Sequence, residues 1–100
     1  MSKGLLNVLG AVQKALIGNV TPNLRAVYLI INSDCDFELI FYYNNNLSEE
    51  EEELPSLVDT EFMSDFPSPT FITKFTIKIL PQPQVVPNDG FCVYKRYERK

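Results

Sequence analysis

The sequence predicts an α+β domain of order α-β-β-α-β-β, with two helices packed on one face of a four-stranded, largely antiparallel sheet. Three observations lead there. Apolar residues recur at helical spacing near the N-terminus and again from Leu54 to Phe66. Four other segments are rich in branched and aromatic residues, and Asn, Asp, Gly or Pro fences each block from the next. A chain of 100 residues makes one domain, 1–100, able to bury roughly 60 to 70% of its unfolded surface.

Leu5, Val8, Leu9, Val12, Leu16 and Ile17 set an amphipathic helix over 2–17, with Ser2 as its cap and Gly18-Asn19 as its end. Gly10 inside it costs up to about 1 kcal/mol against alanine, which hints at close approach of another element. After NVTPN, the segment LRAVYLIIN is apolar on both alternating faces and reads as an inner strand over 24–32. NSDCD supplies a turn, and FELIFYY over 37–43 returns as the second strand of a hairpin. Leu54, Val58, Phe62 and Phe66, with Leu57 beside them, set a second helix over 48–66. Pro55 either kinks that helix or, if the chain breaks near Leu54, begins a new turn. FPSP stops it, TFITKFTIKIL gives a strand over 70–80 with one partly wet face, and the loop PQPQVVPNDG leads to a last strand over 90–98. Leu5, Leu9, Val12, Leu16, Val58 and Phe62 are expected against the sheet, whose other face is left open. The pattern does not fix the strand order.

With 45% apolar residues and twelve aromatics the chain folds rather than staying disordered. A net charge of -4 argues against a general nucleic-acid binder, whose affinity comes from cancelling phosphate charge, and favours a basic protein partner. The first eighteen residues have some signal-peptide character, but Asn7, Gln13 and Lys14 interrupt the apolar positions and no small-residue cleavage site follows, so the segment reads as mature protein. No run approaches the ~20 apolar residues that span a bilayer. Cys35 and Cys92 lie far apart in apolar surroundings, as suits reduced, buried thiols of a cytoplasmic protein.

Chemistry is sparse. The chain has no histidine, the commonest general acid or base near neutral pH and the commonest metal ligand. It lacks paired cysteines, an HExxH pattern and a glycine-rich phosphate loop. Asp34 and Asp36 would raise the Cys35 thiol pKa and leave little thiolate for attack. Glu38 with Asp59 or Glu61 would make a carboxylate pair, yet surface acids of a negative domain account for them equally. Glu49 to Glu53 lack the alternating ligands and central glycine of a calcium loop. No catalytic residue, metal or cofactor is expected. Strand aromatics suggest a base-stacking sheet, but apart from Arg25 only the last two strands carry Lys and Arg, so core packing is preferred. The basic end, Lys95, Arg96, Arg99 and Lys100, reads as a solvated tail that keeps an edge strand from pairing.

The stretch LSEEEEELP is the strongest local signal. Ser48 and Glu51 have the spacing of a capping box. Glutamates also suit a helix N-terminus at about 0.3 to 1 kcal/mol each, so two or three serve the helix. Five adjacent ones repel, and the surplus suggests a surface that meets something basic.

GNVTPNLRAV (Gly18 to Val27), LSEEEEE, DTEFMSDFP (Asp59 to Pro67) and VYKR (Val93 to Arg96), in that order and spacing, resemble a family of small bacterial proteins that includes immunity proteins for contact-dependent growth inhibition toxins. The likeness covers most of the chain, and its motifs are structural rather than catalytic. It implies a turn fixed by Pro22 and Asn23, an Arg25 able to pair with an acid of the second helix, and a helix end stopped by Pro67; Pro55 departs from the pattern. It further implies a non-enzymatic inhibitor that occupies a toxin domain, often a nuclease with a basic active site; from charge and hydropathy, no direct nucleic-acid or membrane partner is expected. The acidic surface for that contact is Glu49, Glu50, Glu51, Glu52, Glu53, Asp59, Glu61 and Asp65. Two alternatives stand beside it. A non-catalytic adaptor or structural module would use the same acids only for solubility. The open sheet face, Lys74, Lys78 or the tail from Lys95 to Lys100 would instead touch an acidic part of the toxin or a third protein.

Overall fold

A computed structural model of the chain describes residues 2–33, 36–64, 72–88 and 90–98. The elements are α1 (Ser2–Leu16), β1 (Leu24–Ser33), β2 (Asp36–Tyr43), α2 (Glu49–Ser64), β3 (Ile72–Ile79) and β4 (Phe91–Lys95), in the expected order. They build a mixed sheet of order β3-β2-β1-β4, in which β1 is antiparallel to β2 and β4 while β2 is parallel to β3. Connection length explains the difference. A tight turn returns β1 into β2 as a hairpin, whereas β2 reaches β3 through α2, a crossover long enough for parallel pairing.

Both helices pack on one face, α1 toward β4 and α2 toward β3, touching each other between. Val8, Val12, Ala15 and Leu16 of α1 and Val58 and Phe62 of α2 meet Leu24, Val27, Leu29, Phe37, Leu39, Phe41 and Tyr43 of the sheet. Phe62 stands edge-on to Phe37 at 5.9 Å between ring centres, an arrangement favoured by the ring quadrupoles. Leu9 is half-buried against this core, and the Leu5 side chain lies outside the described ones. Ile17 departs from the expected stripe at 78% exposure. The helix ends one residue earlier, where Gly18 takes φ 82° and Asn19 donates its backbone N–H to the Leu16 carbonyl at 2.9 Å.

Pro55 neither breaks α2 near Leu54 nor ends it. The helix runs through with the ring fully buried, so apolar burial offsets the hydrogen bond that a proline cannot donate to the Glu51 carbonyl.

The two glycines next to packed elements behave oppositely. A Cβ at Gly10 would meet nothing within 4 Å, so the close approach expected there is absent. Gly10→Ala is predicted to raise stability by up to about 1 kcal/mol in urea unfolding, and a loss would mean that another element packs against α1 there. A Cβ at Gly90 would sit 2.6 Å from the Leu29 carbonyl oxygen, on a strand that cannot retreat. Gly90→Ala is therefore predicted to cost about 1 to 3 kcal/mol by the same measurement.

The second face of the sheet is not open as expected. Ala26, Tyr28, Ile40 and Tyr42 are buried there, and Val86 from the β3–β4 connection packs onto them. We refer to residues 80–88 as the strap. β1 and β2 are apolar on both alternating faces, and such a sequence requires a cover on each side. On β3, Thr73, Phe75 and Ile77 are half-buried toward the helices while Lys74, Thr76 and Lys78 face water, as the alternation predicts. Cys92 is a free thiol but exposed, not buried, because β4 is an edge strand; Cys35 lies outside the described residues.

Candidate functional site

The acidic segment is set by the turn chemistry that precedes it. Leu24 donates its N–H to the Thr21 carbonyl at 3.0 Å, closing the Pro22-Asn23 turn. The Asn23 side chain then accepts from the Asn45 N–H at 2.8 Å and donates to the Asn45 carbonyl at 3.0 Å. This fixes the chain just before α2. Ser48 accepts the Glu51 N–H at 3.2 Å, and Glu51 accepts the Ser48 N–H at 3.0 Å, which completes the capping box.

Glu51 does more than cap. Its carboxylate also accepts from the Thr21 hydroxyl at 2.5 Å and from the Asn23 amide at 3.4 Å, tying α2 to the α1–β1 turn. The Thr21 hydroxyl first, then the Ser48 backbone N–H, hold the Glu51 carboxyl below the usual range. Burial, and secondarily the Glu51 charge, pushes the Tyr43 phenol up to about 12. Glu51→Ala is accordingly predicted to cost about 1 to 2 kcal/mol in chemical denaturation. Alanine at Glu49, Glu50, Glu52 or Glu53 should change stability by no more than about 0.5 kcal/mol. Equal effects at all five would remove Glu51 from its clamping role.

The other expected acids divide by position. Glu49, Glu50, Glu52, Glu53 and Glu61 are exposed, and none has a side-chain partner among the described residues. Asp59 is half-buried, with Oδ1 enclosed and without a hydrogen-bond partner among the described residues. Asp65 lies outside the described residues. Glu50, Glu53 and Glu61 share one helix face at steps of three and four residues, and Leu57 stands between them at 49% exposure. Sequence reading grouped Leu57 with the buried stripe. The signal against this was present, since its neighbours one turn away on either side, Glu53 and Glu61, are both charged.

Arg25 does not pair with an acid of α2. A register shift between Leu24 and Ala26 turns its side chain away from the helices, where Nε and Nη2 donate to the two Glu98 oxygens at 2.6 and 2.8 Å and Nη1 donates to the Leu80 carbonyl at 2.7 Å. Arg96 adds a donor to Glu98 at 3.0 Å and others to the Pro22 carbonyl and Gln82. The Arg25 guanidinium above all holds the Glu98 carboxyl down at about 2. Part of the basic end is thus a latch rather than a solvated tail; Arg99 and Lys100 lie outside the described residues.

The carboxylate pair considered above does not form. Glu38 alternates with the core residues Phe37 and Leu39, so it projects from the strap side of the sheet, with Asp59 and Glu61 on the helix side. Tyr28 and Tyr42 pack edge-on at 6.1 Å beneath the strap and offer no open ring for a base. Among the described residues no group of three or more His, Cys, Asp or Glu is placed to hold a metal, and no helix is long and apolar enough to cross a membrane.

Residues 6–98 match the family model described as MafI2 immunity protein, a span that takes in the Glu51 clamp, the acidic face and the Glu98 latch together. The chain belongs to the MafI2 immunity protein family. A comparison with curated proteins returns no match. Membership in the MafI2 family puts the chain among the immunity proteins of bacterial toxin systems and implies a cognate toxin as its partner. In this MafI2 member the solvent side of α2 gathers, among the described residues, five exposed acids without an internal role: Glu49, Glu50, Glu52, Glu53 and Glu61.

Proposed function

We propose that the chain binds a cognate toxin domain in the cytoplasm, within a system of the contact-dependent growth inhibition type, and neutralises it by covering its active or substrate-binding surface. The family match over residues 6–98 carries this reading. The toxin is a nuclease whose basic site meets the exposed side of α2, where Glu49, Glu50, Glu52, Glu53 and Glu61 stand in for phosphate charge. Asp59 borders that surface, Asp65 belongs to the same acidic set by sequence, and Leu57 is its apolar anchor within a charged rim, the usual anatomy of a protein interface. Inhibition is by occupation, without catalysis, metal or cofactor.

Glu51 is occupied within the fold, so the test leaves it intact. Association of the toxin domain with wild type and with a Glu50→Gln, Glu52→Gln, Glu53→Gln variant is followed at several salt concentrations. At low ionic strength the variant should associate about tenfold more slowly, with a flatter salt dependence. Identical rates and slopes would move the contact off α2, and absence of any complex would remove the toxin reading itself.

A further inference from the structure

The strap face has charge and shape that the toxin contact on α2 does not use, although Arg25 and Arg96 are tied to Glu98 and Lys78 lies over the Tyr42 ring at 5.8 Å. The strap is held at its start and again near its end. Leu80 donates its N–H to the Tyr43 carbonyl at 2.8 Å, Gln82 donates to the Asn44 side chain at 2.7 Å, and Val86 is anchored in the second core. Its apex points outward, with Val85 at 85% exposure. A recess opens on each side of this ridge. One, of about 640 Å³, lies between Val85 and Lys78, Ile79 and Leu80; the other, of about 530 Å³, lies between Val85 and Arg25, Lys95, Arg96 and Glu98.

The sign of the charge is inverted there. In a chain of net charge -4, the two recesses are lined by four cations and a single carboxylate, Glu98, which both arginines already engage. The strap itself, from Leu80 to Asn88, carries no charge. Strand register adds a dimension, because Lys78, Tyr42, Ala26 and Lys95 occupy one row across all four strands. Three inter-strand gaps separate the two lysines, about 14 Å, which an extended chain covers in roughly four residues.

We propose that the strap face is a second protein-docking surface, one that takes an acidic, extended segment of a partner chain. Branched apolar side chains of that segment seat in the recesses beside Val85, and carboxylates about four residues apart meet Lys78 and Lys95. Prolines at 81, 83 and 87 and the strap's hydrogen bonds pre-organise the surface, so little ordering accompanies binding. The face lies across the sheet from α2, so both surfaces can be occupied together.

A displayed library of random peptides, selected against the immobilised full-length chain at physiological salt, tests this without the toxin. The expected result is a shared motif with paired Asp or Glu and branched apolar residues between them. Affinity for that motif should fall at least about tenfold in a Lys78→Gln, Lys95→Gln variant and in Val85→Asp, and should not change in Glu50→Gln, Glu53→Gln. Both strap-face variants must keep the wild-type melting curve to count. A basic motif, no motif, or a motif still held by both folded strap-face variants overturns the proposal, and so does sedimentation that shows the face filled by a second copy of the chain.

Discussion

Replacing Glu98 with glutamine is expected to destabilise the fold by about 2 to 3 kcal/mol at neutral pH. The Arg25 side chain is 3% exposed, so its guanidinium depends on Glu98 and the Leu80 carbonyl for all its solvation. Glutamine removes the countercharge and turns an N–H group toward a donor. The loss stays below the ~3 to 5 kcal/mol of a wholly buried pair because Glu98 keeps 20% of its side-chain surface in water. The acid dependence follows from the depressed pKa. With its carboxyl at about 2 in the folded state against an ordinary 4.5, Glu98 contributes fully above pH 4.5 and loses its contribution as pH falls through about 2. Wild type and variant should therefore differ most near neutrality and converge on acidification. Urea unfolding across that range checks both points; equal stability at neutral pH, or a gap that persists at pH 2, would contradict the latch.

Phe62→Ala should cost more, about 3 to 5 kcal/mol, through lost transfer energy and the cavity left between α2 and the sheet. Phe62 has no exposed surface, and its ring closes edge-on against Phe37. The neighbouring Met63 is 37% exposed, so Met63→Ala serves as the control and should stay within about 0.5 kcal/mol. A cost below about 1 kcal/mol at Phe62 would mean that α2 does not dock by this face.

All six elements were legible in the sequence because their patterns are local. Helical and alternating periodicities survive in LLNVLGAVQKAL and TKFTIKI without any knowledge of neighbours. Glu51 was legible too, as a capping spacing, but its bonds to Thr21 and Asn23 were not, since they join positions that only the folded sheet brings together. The same holds for Arg25. Its partner Glu98 lies 73 residues away and depends on a register shift that no periodicity marks. The strap was missed for a different reason: its uncharged, proline-rich sequence reads as a loop, and the need for a cover appears only once β1 and β2 are seen to be apolar on both faces.

The Glu51 clamp also bears on how such a protein can change. Within one run of five identical residues, a single position holds the helix to the body and its four neighbours are exposed. Substitutions at those four leave folding nearly untouched while altering the charge and shape presented to a partner, and a mismatched charge there rejects the wrong partner as readily as a matched one attracts the right one. The scaffold can thus be re-paired with a divergent toxin by small steps along one helix face, each of them folded, with Glu51 as the one glutamate in the run that has to stay.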